Sequence, residues 1–155
     1  MKHRHRWLLL LSLATCATAL WFWLRPYQWW PDSRAAARIE WASVTRDHSY
    51  RWLELRLSLK PAGPMPEPLE LKLADGRTIR PDQVSQIGTG RASDDPLGAR
   101  LAEIEAIDLR FWLEDQDLTG PLTLKIGPGE LGVRTPGPTP ALEETEIRRF
   151  RSSRW

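Results

Sequence analysis

The sequence predicts an all-β exported domain, an immunoglobulin-like antiparallel β-sandwich of about six or seven strands, preceded by one transmembrane helix. Three observations carry this. Apolar and polar residues alternate strictly through residues 50–60 and 107–114, the period of strands with one face on a core and one on solvent. Shorter stretches repeat the pattern at Leu69, Leu71 and Leu73 and at Leu122, Leu124 and Ile126. Ahead of all of them, residues 7–24 form an uncharged, largely apolar run. Its length as a helix, roughly 27 Å at about 1.5 Å per residue, matches a bilayer's hydrocarbon core.

In chain order, residues 1–6 are a cytoplasmic tip whose Lys2, Arg4 and Arg6 hold the N-terminus inside. Residues 7–24 are a signal-anchor, and Trp21, Trp23, Tyr27, Trp29 and Trp30 supply an interfacial aromatic belt beyond it. The domain is then single-pass, on the periplasmic or extracellular side. A signal cleaved after Ala19 is the competing outcome, because Ala17-Thr18-Ala19 has the small-residue spacing of a cleavage site. Cleavage would leave Leu20-Trp21-Phe22-Trp23-Leu24 unburied in water, at about 1.5–3 kcal/mol for each large side chain. Leu13-Ala14-Thr15-Cys16 resembles a lipoprotein signal but carries Thr15 where a smaller residue is wanted. Ser12, Thr15, Cys16 and Ala19 fall on one helix face, a stripe of small residues through which transmembrane helices self-associate.

Charge and cysteine narrow the function classes. Lys2, Arg4 and Arg6 are three of the 22 Lys and Arg; the remaining 19 face 20 Asp and Glu. The exported part therefore lacks the basic excess that nucleic-acid binding requires. The single cysteine, Cys16, lies inside the apolar run, so the domain is held by packing and not by disulfides.

After a juxtamembrane linker at 25–37, the sandwich occupies 38–135. A first strand covers 39–45. Asp47-His48-Ser49 then makes the turn into the second strand; it contains the residue types of a hydrolytic triad, but neighbours in sequence cannot flank one imidazole. Around Asp75-Gly76, a two-residue loop would put Ile79 on the polar face. A three-residue loop with Gly76 left-handed pairs Leu71 with Ile79 and is preferred. Residues 79–99, polar and rich in Gly, Asp and Ser, read as a long loop, and 101–106 is ambiguous between a helical turn and a strand. A loop over 114–121 matches Leu113 with Leu122 and Phe111 with Leu124. Gly127-Pro128-Gly129-Glu130 then returns Leu131 and Val133 against Ile126 and Leu124. Residues 136–155 are a Pro-rich spacer and a C-terminal arm that docks on the domain.

Tyr50, Trp52 and Trp112 fall on the polar phase of their strands and form the candidate binding surface, for a protein partner or a glycan. The competing reading has the C-terminal arm, with Phe150 and Trp155, cover them. Glu114, Asp115 and Asp117 share one loop, but they lack the six or more oxygen ligands of a calcium site. With one histidine in the exported part and no phosphate loop, no catalytic, metal or cofactor site is expected. The sequence thus points to a non-enzymatic adaptor or accessory subunit of the cell envelope, with a membrane-localised glycan-binding domain as the alternative.

Overall fold

The computed structural model describes residues 2–23, 27, 32–88 and 104–155, and the side chains of 2–5 and 21–26 lie outside that description. Helix α1, Lys2–Trp23, covers most of the apolar run, and its described side chains from Arg6 to Leu20 are exposed. Among the described residues no helix is long and apolar enough to cross a membrane.

The remainder is mostly β. Among the described residues, nine strands form two antiparallel sheets packed as a sandwich: β1 Ala37–Asp47, β2 Tyr50–Gly63, β3 Leu69–Lys72, β4 Thr78–Ile79, β5 Gln83–Gly88, β6 Ile104–Glu114, β7 Leu122–Ile126, β8 Gly129–Arg134 and β9 Ile147–Phe150. One sheet has the order β5-β6-β2-β1-β9 and the other β4-β3-β7-β8. The chain builds hairpins and changes sheet after each. β1–β2 and β5–β6 lie in the first sheet, β3–β4 and β7–β8 in the second.

Alternation in the sequence becomes the two faces of the first sheet. Leu53, Leu55, Leu57, Ile107, Leu109, Phe111 and Leu113 point inward and are essentially solvent-free. They meet Leu71, Leu122, Leu124, Ile126, Leu131 and Val133 from the second sheet in one core. Burial of that apolar area, about 25 cal/mol per Å², is the main stabilising term in a domain without disulfides.

Several expectations are corrected by the strand pairing. Leu113 and Phe111 do not pair with Leu122 and Leu124, because β6 and β7 belong to different sheets and face each other across the core. Gly127-Pro128 makes a two-residue turn, so Ile126 opposes Gly129 and Leu124 opposes Leu131; Leu131 sits one pair along from its expected position. Part of the expected loop at 79–99 is a strand, β5, because polar Gln83, Ser85 and Gln86 suit an edge whose residues are all exposed. The predicted hairpin register holds: Leu71 opposes Ile79, and Gly76 has φ +88°. Residues 101–103 lie outside the described residues, and β6 begins at Ile104.

Tyr27 and the C-terminal arm are built into the domain. Tyr27, expected in an interfacial belt, is 3 % exposed and part of the core. Its main-chain N–H donates to the Arg151 carbonyl at 2.8 Å. The arm adds β9 to the outer edge of β1 and buries Leu142.

Candidate functional site

The outward face of the five-stranded sheet gathers the chain's most interaction-prone side chains. On β2, the residues opposite in phase to the leucines are Tyr50, Trp52, Glu54 and Arg56. On β6 their partners are Glu114, Trp112, Arg110 and Asp108. Trp52 lies directly across from Trp112, with rings 6.0 Å apart and 18° from parallel. Tyr50 packs against Trp112 at 4.5 Å. The guanidinium of Arg110 sits 4.2 Å from the centre of the Trp52 ring. The three aromatic residues named from the sequence are therefore contiguous, and Arg110 extends their row.

Trp41 and Arg149 join this surface, and sequence phase hides both. In unbroken alternation Trp41 would share the inward face with Ile39. A β-bulge intervenes: Ile39 opposes Leu57 while Trp41 opposes Arg56, so one extra residue turns Trp41 outward. Arg149 arrives from β9, paired with Ser43. Trp41 is then flanked by Arg149 at 4.3 Å and Arg56 at 5.2 Å. Two rows result, one of Tyr50, Trp112, Trp52 and Arg110, the other of Arg56, Trp41 and Arg149.

Fixed partners hold the face in shape. Arg56 makes a two-pronged contact to Asp108, 2.7 and 2.6 Å, a planar geometry that lysine could not supply. Together with the acceptors nearby it keeps the Arg56 charge strongly favoured, the Asp108 hydrogen bond being the largest cause. Trp52 Nε1 donates to Asp47 at 3.0 Å, and the Trp112 main-chain N–H donates to Asp82 at 2.9 Å. Trp112 is still 48 % exposed and Tyr50 39 %. The arm does not cover these rings. It runs along the β1 edge, and its Phe150 and Trp155 stack on each other at 4.7 Å.

Ser12, Thr15, Cys16 and Ala19 are exposed on α1, and the Thr15 hydroxyl donates to the Leu11 carbonyl of its own helix at 2.7 Å. The carboxylates of the 114–117 loop are engaged within the domain. Asp117 accepts from Arg77 at 2.6 Å and from the Glu114 N–H at 3.0 Å. Asp115 lies 3.0 Å from buried Arg51, close enough for charge attraction though off-line for a hydrogen bond from Nε. His48, at φ +54°, is the turn between β1 and β2, where its Nδ1 lies 3.0 Å from Asp47 and 3.4 Å from Glu144 of the arm. This exposed trio ties the arm to the turn, and the Glu144 carboxylate also accepts the His48 N–H at 2.7 Å.

The residue that sequence reasoning missed altogether is Arg134. It is 2 % exposed and its guanidinium donates to the carbonyls of Leu118, Gly137, Pro138 and Trp155. Desolvation pulls its pKa below the usual arginine value. Comparison of the chain with family models, with curated proteins and with solved structures finds no match.

Proposed function

We propose that the chain is a membrane-tethered, exported, non-enzymatic module that docks a protein partner of the envelope on the outward face of its five-stranded sheet. The observation that carries this reading is the contiguous set Tyr50, Trp52 and Trp112 beside Arg110, with Tyr50 and Trp112 exposed and Trp52 half-buried. Tyrosine, tryptophan and arginine are the residues most enriched at the energetic centres of protein interfaces. A flat sheet face with guanidinium groups between the rings suits a protein better than a sugar, which stacks in a groove lined by aromatics. The tether is α1 with the uncharged run that it covers, and the basic tip Lys2, Arg4 and Arg6 supports an inside N-terminus. The small-residue stripe Ser12, Thr15, Cys16 and Ala19 supports self-association in the membrane. The likeness to an immunoglobulin-type sandwich is one of architecture, two packed antiparallel sheets, with the strand order given above.

Crosslinking in intact membranes tests this reading, comparing the native chain with a Trp112→Ala, Arg110→Ala double variant. The reading expects one defined membrane protein captured by the native chain and lost with the double variant. Equal capture by both removes the face from the interaction. Absence of a protein together with sugar-dependent stabilisation of the domain favours the glycan alternative.

A further inference from the structure

Among the described residues, one side of the sandwich is left open to a strand. Proteins protect sheet edges by charge, proline, shortness or cover, and three of the four edges here follow that rule. β9 has four residues and presents Arg148 and Arg149. β4 has two residues. β8 packs against the short 3-10 helix at Ser33–Ala35, where a Cβ on Gly129 would meet the Ala35 main chain at 2.3 Å. β5 differs: Gln83-Val84-Ser85-Gln86-Ile87-Gly88 has no charge and no proline, pairs with β6, and is exposed at every residue. Across the seam, β4 covers Leu71 and Lys72 of β3 but not Leu69 and Glu70, so β3 is also open on this side.

A groove of about 400 Å³ lies beside β5, with Met65, Pro68, Leu69 and Val84 among its walls. Val84 opposes buried Leu109, so it is on the inward phase of β5. A strand added to β5 would point every second side chain into this groove and would extend the core. Arg80 lies 4.0 Å from Glu70, so with Glu67 the groove keeps one surplus carboxylate.

We infer that β5 accepts an extended segment of a partner protein by strand addition, with apolar side chains at alternate positions and a basic residue facing Glu67 and Glu70. Main-chain pairing supplies the affinity in this mode and the groove selects the side chains. A second copy of this chain fits less well, since its own β5 would offer the groove Val84 and Gln86 and no cation.

The probe is a labelled octapeptide, Lys-Val-Thr-Val-Thr-Val-Thr-Lys, added to the full chain in detergent. Binding should protect the amides of 83–88 from exchange. N-methylation of the peptide at alternate amides should weaken binding about tenfold or more, because it removes several paired main-chain hydrogen bonds. Val84→Lys and, separately, Glu70→Lys should weaken it, with thermal melts confirming that each variant folds, and Trp112→Ala should leave it unchanged. The inference is overturned by no binding, by equal binding of the N-methylated peptide, or by protection away from β5. It is equally overturned if a Ser85→Cys variant links to itself as a disulfide dimer and the octapeptide fails to compete. Loss of the octapeptide with Trp112→Ala would instead assign the probe to the aromatic face.

Discussion

The indole Nε1 of Trp155 donates to the phenolic oxygen of Tyr27 across 2.5 Å, joining side chains 128 positions apart. Burial drives the Tyr27 phenol well above its ordinary pKa, with the hydrogen bond from Trp155 opposing that rise, so it stays protonated through the physiological range. Trp155 also stacks on Phe150 and lies under Arg134, 5.0 Å from guanidinium to ring centre. The C-terminal arm therefore fastens Tyr27 to the core. Trp155→Ala should cost about 2–4 kcal/mol, toward the lower end of large-to-small aromatic truncations because Trp155 is only partly buried. Equilibrium denaturation measures the cost, and amide exchange should rise along 42–45, where β9 pairs with β1. A loss under about 0.5 kcal/mol, the scale of an ordinary surface substitution, would mean that the arm does not fasten Tyr27.

Arg134 organises the same corner through main-chain oxygens. Its guanidinium gathers carbonyls from the loop before β7, from the Pro-rich spacer and from the chain's last residue. Arg134→Met removes the donors and leaves those acceptors facing an apolar group, at about 3 kcal/mol. Arg134→Lys keeps the charge but offers three donors from one point in place of a planar fork, and should fall between native and Arg134→Met in urea midpoint. A lysine variant as stable as the native chain would show that charge alone suffices.

The legible parts of the fold were those governed by local chemistry. Leucines at every second position place the core face, and the Gly76 turn aligns Leu71 with Ile79. What sequence hid were the long-range choices. Alternation cannot tell pairing from facing across a sandwich, which is why β6 and β7 separate into two sheets. A bulge is invisible to a period of two, which hid Trp41. Arg134 reads in sequence as a charge closing a strand, and only the convergence of three loops buries it.

Phe111 and Trp112 are neighbours with opposite fates. Phe111 is fully buried and Trp112 is 48 % exposed. Phe111→Ala should destabilise by about 3–5 kcal/mol, whereas Trp112→Ala should cost about 1 kcal/mol or less, the lost ring contacts being worth about 0.5–1.5 kcal/mol in full. Calorimetry of both variants checks this. A Trp112→Ala cost near that of Phe111→Ala would make the outward rings a structural cluster and weaken their assignment to a partner.

His48 is the one imidazole outside α1 and can be followed by NMR. Its hydrogen bond to Asp47, followed by attraction to Glu144, raises its pKa above the ordinary value of 6.5. A raised folded-state pKa contributes stability that is fully present below about pH 6.5 and is lost as pH rises through the folded value. Glu144→Gln should lower the His48 titration midpoint, and it should reduce the protection of the β9 amides more at pH 6 than at pH 8. An unshifted midpoint would detach the arm from the β1–β2 turn.

Gly129 tests the packing of the linker end against the sandwich. It is buried where β8 begins, and a Cβ there would meet Ala35 at N, Cα and Cβ within 2.3, 2.5 and 2.7 Å. The obstruction is main chain, so rotamer changes cannot relieve it. The 3-10 helix Ser33–Ala35 must move, breaking the Asp32 contact to the Glu130 N–H at 3.2 Å. Gly129→Ala should therefore destabilise by about 1–3 kcal/mol, the range of overpacking. It should also release Asp32, whose pKa is held to about 2, first by its hydrogen bonds with Arg34 and then by Glu130. A depressed carboxyl pKa adds stability above its unfolded value that is lost as pH falls through the folded one, so the gap in stability between the native chain and Gly129→Ala should narrow as pH falls toward about 2, leaving the steric cost. Gly132, with open space around its Cβ position, is the control: Gly132→Ala should be tolerated or slightly stabilising, and equal losses at both glycines would mean that close approach to Ala35 is not the cause.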